Sequence, residues 1–291
     1  MTELCRIEPW LQRLLAPNPS AMTERGTNTW ILGQDRLVVI DPGPAIAEHL
    51  EAIEAALAGR PLEAILVTHA HLDHSALAPA LAQRTGAPIL GFGGAGDGRS
   101  PLMRALAASG QGGGEGLDQG FVPDQRLHDG ESLELGGMAI RVIHTPGHMA
   151  GHLCFAVGDA LFSGDHVMGW SSSLVSPPDG DMGAYMTSLR KLAGQGWRTF
   201  HPGHGVSIGD PEKRLSDLLS HRAAREAAIL AVLAQGPQTP DELVTRIYLE
   251  TPPNLHAAAR RNVFSHLIDL YERKQVRAET GLSDRARFIL A

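Results

Sequence analysis

The stretch VTHAHLDHSA, residues 67–76, places His69, His71, Asp73 and His74 within six positions, directly after the apolar run LEAIL. Neutral imidazole and carboxylate offer lone pairs to a cation near neutral pH, whereas Lys and Arg do not. LEAILVT reads as a short β-strand. At a strand end, side chains two apart project to one side, so His69 and His71 can grip one cation. Asp73 and His74 follow where the chain turns into a helix, within reach of a second cation.

Two cations need more ligands than this stretch holds, and the rest of the chain supplies them beside glycines. HTPGHMAGH offers His144, His148 and His152; FSGDH offers Asp165 and His166; FHPGHG offers His201 and His204. Glycine lets the backbone turn sharply beside a ligand. Each group follows a strand-like run (MAIRVIHT, ALFSGD, RTF), so the ligand-bearing loops are expected along one edge of the sheets. Upstream, TNTWILG and DRLVVIDPG read as two strands. AIAEHLEAIEAALAG, SALAPALAQRTG and GAYMTSLRKLAG carry helical spacing of apolar residues. Strands alternating with helices, some paired as hairpins, predict an α/β fold: an αββα sandwich of two mixed β-sheets flanked by helices.

Between residues 91 and 120, eleven of thirty positions are glycine, with QGGGEG near the end. This reads as a long flexible loop, at most with a short helix over PLMRALAAS, acting as a mobile cover or a spacer. QGGGEG lacks the Lys-Ser/Thr of a phosphate-binding loop.

A domain boundary is expected near residue 210, dividing 1–210 from 211–291. Beyond it the pattern is mainly helical, with Thr239 and Glu242 at capping-box spacing. The tail VRAETGLSDRARFIL reads as a small β-wing, which completes the order of a winged helix. Residues 211–291 carry 12 Lys+Arg against 10 Asp+Glu, net +2, which leaves −9 for the remainder.

The motif series resembles the metallo-β-lactamase superfamily at five places in order: DPG at Asp41, THAHLDH at 68–74, TPGH at 145–148, SGD at 163–165 and PGHG at 202–205. The resemblance implies a dinuclear site. His69, His71 and His148 would hold the first metal; Asp73, His74 and His204 the second; Asp165 would bridge them. Asp41 would stand behind the site, orienting a ligand histidine. An aspartate rather than a cysteine at position 165 departs from the antibiotic-destroying β-lactamases and matches the glyoxalase II, ribonuclease and related hydrolase branches. The appended winged helix resembles the lactamase-beta-like branch, whose characterised animal members are endoribonucleases acting on single-stranded RNA. The Gly-rich segment departs from that animal pattern.

The function so implied is metal-dependent hydrolysis. A metal-bridging hydroxide attacks while Asp73 orients the water or takes its proton, and His152 and His201 either contact the substrate or pack behind the ligands. The cofactors would be two divalent ions, zinc or else manganese or iron. The substrate expected is a phosphodiester such as single-stranded RNA. The alternatives are a thioester or ester of glyoxalase II type, and a DNA-binding regulator whose metal site is vestigial. Arg260, Arg261, Arg273, Lys274 and Arg277 either face RNA phosphates or form a solvated face. Ser171, Ser172 and Ser173 either donate to an anionic substrate or form a plain turn. His49, His128, His221, His256 and His266 stand outside every motif and read as ordinary core or surface residues.

Composition sets the frame. The chain has 291 residues, 43% hydrophobic, with net charge −7 and two widely separated cysteines, Cys5 and Cys154. This excludes global disorder, a disulfide framework and a general pull toward nucleic acid. No signal-like segment or membrane-length apolar run is present. A cytoplasmic protein is expected, with a possible homodimer through the apolar C-terminal helices.

Overall fold

The computed structural model describes residues 3–112 and 116–291. The centre of QGGGEG, residues 113–115, lies outside the described residues. In chain order, β1 (Glu3–Glu8), β2 (Leu11–Leu15), β3 (Asn28–Gly33) and β4 (Leu37–Ile40) form an antiparallel meander. Helix α1 (Ala47–Leu57) crosses to β5 (Leu62–Leu66), which pairs parallel with β4. The one-turn helix α2 (Leu72–Ser75) and α3 (Ala78–Thr85) lead to β6 (Ile89–Gly91). Beyond α4 (Pro101–Ala108), the short β7 (Gln125–Arg126) closes the sheet, whose order is β1 through β7.

The second sheet has the order β12-β11-β10-β9-β8. It is built from β8 (Ser132–Leu135), β9 (Met138–His144), β10 (Leu153–Val157), β11 (Ala160–Gly164) and, after α5 (Met182–Leu192), β12 (Thr199–Pro202). Only the β11–β12 pair is parallel. Both sheets are therefore mixed, as expected from hairpins alternating with helical crossovers.

Strand alternation sorts the apolar residues into three layers. Trp30, Leu32, Val38, Ile40 and Leu66 of the first sheet meet Ile140, Val142, Leu153, Phe155 and Phe162 of the second, forming the inner core. Ile31, Val39 and Ile65 point the other way, against Leu50, Ile53 and Leu81 of α1 and α3. Ile143, Cys154, Ala156 and Leu161 face Tyr185 and Leu189 of α5. The αββα arrangement thus follows from buried faces on both sides of each sheet. The strands β1, β2, β7 and β8 carry no sequence expectation above. β1 and β2 mix charged with apolar residues, and β7 is two exposed residues.

The C-terminal part comprises α6 (Pro211–Leu233), α7 (Pro240–Ile247), a 3-10 turn (Pro253–Leu255), α8 (His256–Glu272) and the hairpin β13 (Val276–Ala278) with β14 (Phe288–Leu290). The expected capping box on α7 is present: Glu242 N–H donates to Thr239 Oγ1 (3.2 Å), and Thr239 N–H donates to Glu242 Oε2 (2.7 Å). Helix α6 serves two cores. Leu215 and Leu218 pack under the second sheet, while Ile229 and Leu233 pack among the C-terminal helices.

The short helix expected in the Gly-rich segment is α4, and the described residues around it are tied down more than a flexible loop would be. Ser100 caps α4, and Met103 and Leu106 are buried in the C-terminal hydrophobic cluster. At its far end, Leu72 N–H donates to Gly116 O (2.7 Å) and Asp118 N–H to Ala70 O (2.9 Å). The described parts of the segment are therefore tied at one end to the C-terminal helices and at the other to the histidine motif.

Candidate metal centre

The histidine motif begins one residue beyond β5. Thr68 leaves the strand, and the chain then winds into α2 with His71 at its N-cap. Asp41 follows β4, the neighbouring strand, with φ of 51°, a left-handed value that Asp tolerates better than most residues. Its buried carboxylate is held by three donors: Thr68 N–H (2.8 Å), Thr68 Oγ1 (2.7 Å) and His74 Nδ1 (2.9 Å). This locks the Thr68–His74 turn onto the β4 end.

These contacts dictate the ring tautomers. Thr68 gives its hydroxyl proton to Asp41, so it accepts from His69 Nδ1 (2.9 Å). Leu174 O accepts from His148 Nδ1 (2.7 Å), and Gly26 O accepts from His204 Nδ1 (3.2 Å). In the neutral rings the opposite nitrogen, Nε2, then presents a bare lone pair inward. His69 Nε2 and His148 Nε2 each stand 3.0 Å from His71 Nδ1. A single proton on His71 Nδ1 can serve only one of these two nitrogens, whereas a cation among them would serve all three.

The second group surrounds Asp73. His204 Nε2 is 3.2 Å and His74 Nε2 3.5 Å from Asp73 Oδ2. Asp165 lies between the two groups: its Oδ2 is 3.3 Å from His204 Nε2 and 3.8 Å from His148 Nε2, and its Oδ1 is 3.5 Å from His74 Nε2. The structure thus brings together all seven side chains named as ligands. Three sets of donor atoms are close enough to share an ion: His69, His71 and His148; His69, His74 and Asp165; and Asp73, His74 and His204.

The electrostatics point the same way. Burial, reinforced by neighbouring imidazoles, holds His69 well below its usual pKa and pushes His71 down to about 3. Burial also opposes charge on His74 and His204, but there the carboxylates win. Asp73, Asp165 and Asp41 raise His74 well above normal, and Asp165 chiefly raises His204 to about 9. Among the described residues, buried His74 Nε2 and Asp165 Oδ1 have no hydrogen-bond partner. Orphaned inward atoms in a cluster that demands positive charge fit a divalent cation or two.

The loop carrying His204 is held from β3. Asn28 Nδ2 donates to Pro202 O (3.0 Å) and Gly205 O (2.8 Å), and Trp30 Nε1 to Pro202 O (3.1 Å). Gly203 is required by space. A Cβ there would stand 2.5 Å from Asp165 Oδ1 and 2.6 Å from His74 Cε1.

Three readings that the sequence leaves open take the packing alternative. His152 is fully buried and does not line the cleft. Thr145 Oγ1 lies 3.0 Å from its Nδ1, and its Nε2 accepts from Asp165 N–H (3.2 Å), so it supports the backbone of Asp165. His201 is buried against Trp30 and Phe162, with Nδ1 bonded to Ser207 Oγ (2.8 Å), also away from the cleft. Ser173 is buried too, and donates to Asp165 O (2.6 Å) and His166 O (2.9 Å) rather than toward a substrate. Imidazole and hydroxyl groups in these loops could not be sorted into inward and outward by spacing alone. Thr68 and Thr145 stand inside the THAHLDH and TPGH motifs, but their roles as hydrogen-bond partners of His69 and His152 were not read from the sequence.

A cleft of about 270 Å³ opens onto His71, Asp73, His148, Asp165 and His204. The rest of its lining is largely apolar: Ala21, Met22, Met168, Leu174, Leu255, Ala257 and Ala258, with Asn254 and Arg261. The C-terminal part thus supplies one wall of the site. Arg260, by contrast, is paired with Asp241 (3.0 Å) and Asp284 (2.9 Å), and Arg273 with Glu226 (2.6 Å) and Asp269 (2.8 Å).

Comparison with known proteins agrees with this geometry. Residues 22–204 match the metallo-beta-lactamase superfamily, and residues 239–285 match the beta-lactamase associated winged helix domain. The chain is 31% identical to the Beta-lactamase-like protein 2 homolog of Drosophila melanogaster, over 94% of this chain and 91% of that protein. It is 30% identical to an Atrochrysone carboxyl ACP thioesterase of Aspergillus chevalieri, over 82% of this chain and 70% of that protein. A metallo-beta-lactamase family protein from Thermus thermophilus superposes with a TM-score of 0.78 at 26% identity, covering 98% of this chain and all of that one. The chain therefore belongs to the metallo-beta-lactamase superfamily of hydrolases, and carries the winged helix associated with it.

Proposed function

We propose that this protein hydrolyses a thioester or related carboxylic ester, using two divalent cations, with zinc the first candidate. His69, His71 and His148 would hold one ion, Asp73, His74 and His204 the other, with Asp165 between them. Such ions, when bound, lower the pKa of water and polarise a carbonyl oxygen. The chain's own contribution is arrangement. Asp41, Leu174 and Gly26 fix the imidazole tautomers from outside. Asp73, with its side chain about a quarter exposed to the cleft, is the group able to orient an attacking water and take its proton.

The observation that carries the acyl reading is the apolar lining of the cleft onto which these residues open. Seven apolar side chains suit an acyl chain or an uncharged thioester arm better than a run of phosphates. The likeness to a protein named as an acyl-carrier-protein thioesterase supports the same reading. Hydrolysis of single-stranded RNA is the second reading. It is favoured by Arg261, which lines both this cleft and the neighbouring one, where it stands beside Arg260. A cytoplasmic location goes with either reading; among the described residues no helix is long and apolar enough to cross a membrane.

The deciding experiment presents metal-loaded protein with an S-acyl glutathione, an S-acyl pantetheine and a labelled single-stranded RNA. Thiol release from either thioester, with the RNA intact, is expected. RNA cleavage without thiol release would replace this reading with the second.

A further inference from the structure

Residues 173–175 belong to no helix or strand, yet they hold the only described acceptor for His148 Nδ1, the carbonyl of Leu174 (2.7 Å). The position of this carbonyl is set from the C-terminal helices. Val175 N–H belongs to the same peptide group as Leu174 C=O, and a planar trans peptide points the two in opposite directions. Asn262 Oδ1, on α8, accepts from Val175 N–H (3.0 Å). Arg222, on α6, donates through Nη1 to the same Asn262 oxygen (3.3 Å) and through Nη2 to Ser173 O. The Arg222 guanidinium is itself 1% exposed and lies over the Tyr185 ring (5.2 Å). Its bond to Oδ1 decides which way the Asn262 amide faces, because only the oxygen can accept from both donors.

We infer that Arg222 and Asn262 are positioning residues for the metal centre: they fix the Leu174 carbonyl, which in turn holds His148 in the tautomer whose Nε2 faces His71. The C-terminal part then does more than wall the cleft. It tunes one ligand through a relay from Arg222 to Asn262, to the 174–175 peptide, to His148. The relay acts on the His69–His71–His148 group. The residues around Asp73 take their outer partners from Asp41 and Gly26 instead. The inference rests on the metal reading of His148 but not on the identity of the substrate.

The test is zinc binding by the full chain, read by competition with a chromophoric chelator, in the wild type, Asn262→Ala and Asn262→Asp. Tm is measured on the metal-free forms. Outer partners of ligand histidines typically contribute about 10–100-fold to metal affinity. Asn262→Ala should therefore weaken one of two zinc equivalents by about that factor and leave the other unchanged. Asn262→Asp keeps an acceptor for both donors and should restore the lost affinity. A contribution through general stability alone would lower both affinities together, and that pattern would overturn the inference, as would two unchanged affinities in Asn262→Ala. Should Asn262→Ala fail to fold, the reading passes to the unaltered zinc-loaded protein. There the His148 Nδ1 proton should give a slowly exchanging imidazole resonance, and a rapidly exchanging one would overturn the relay. A wild-type chain that takes up no zinc removes the metal reading itself.

Discussion

Asp41 shows how much of the site hangs on a single carboxylate. It holds a left-handed backbone conformation and accepts three hydrogen bonds from two residues of the histidine turn. Asn tolerates the same φ, so Asp41→Asn tests the carboxylate alone. Whichever way its amide faces, an NH2 group meets at least one of the three donors. Zinc affinity should fall by about 10–100-fold, as read by chelator competition. Asp73 differs, since burial is outweighed by His74 and its carboxyl stays ionised far below the usual range. It braces no backbone and is open to the cleft. Asp73→Ala should lower turnover by about 10²–10⁴-fold while the Tm of the metal-free form stays near the wild-type value; full activity would remove its assigned role.

At the scale of elements, the ends of β11 and β12 must come close enough for Asp165 to meet His74 and His204. Gly203 makes that approach possible. In Gly203→Ala the new methyl would occupy space now held by a ligand oxygen and a ligand ring, so metal uptake should be lost while circular dichroism stays native. Helix α8 carries a different burden. His266 is buried, with neither ring nitrogen partnered among the described residues, and burial first, then Arg222, pushes its pKa down to about 3. The unfolded chain takes up a proton near pH 6.5, which the folded chain refuses until about pH 3. Stability from this group is therefore complete above pH 6.5 and is lost as pH falls below it. His266→Leu should flatten the fall of Tm between pH 6.5 and 4; an unchanged slope would show that His266 is not the source.

For the whole molecule, the seven clustered side chains come from the ends of both sheets, so a bound cation ties the two halves of the sandwich together. A ligand at about one hundred times its Kd stabilises the folded state by about 2.7 kcal/mol. For a domain of this size that corresponds to roughly 5–10 °C in Tm. Chelation of the loaded protein should lower Tm by about that amount, and re-addition of zinc should restore it. An identical Tm in chelator and in zinc would argue against a bound structural charge.

The sequence by itself determined the chemistry of the centre and the class of the fold. His69, His71, Asp73 and His74 stand within one turn of chain, and short-range spacing is enough to read them as donors. The alternation of β3, β4 and β5 with helical spacing in α1 was legible for the same reason, because period is a local property. The later ligands, His148 and His204 among them, were named by the family resemblance and not by local spacing. His148 and His152 sit four residues apart in one loop, and only the fold sends one toward His71 and the other behind Asp165. The short helix over PLMRALAAS was legible from its spacing, but its anchorage was not, because glycine content reports conformational freedom of the chain, whereas order in α4 comes from Met103 and Leu106 finding a core built by residues more than a hundred positions away. The same holds for Arg222 and Asn262, which no motif marks. Their contact with residues 173–175 exists only because α6 and α8 are packed against the second sheet, and such contacts are set by tertiary burial rather than by spacing along the chain.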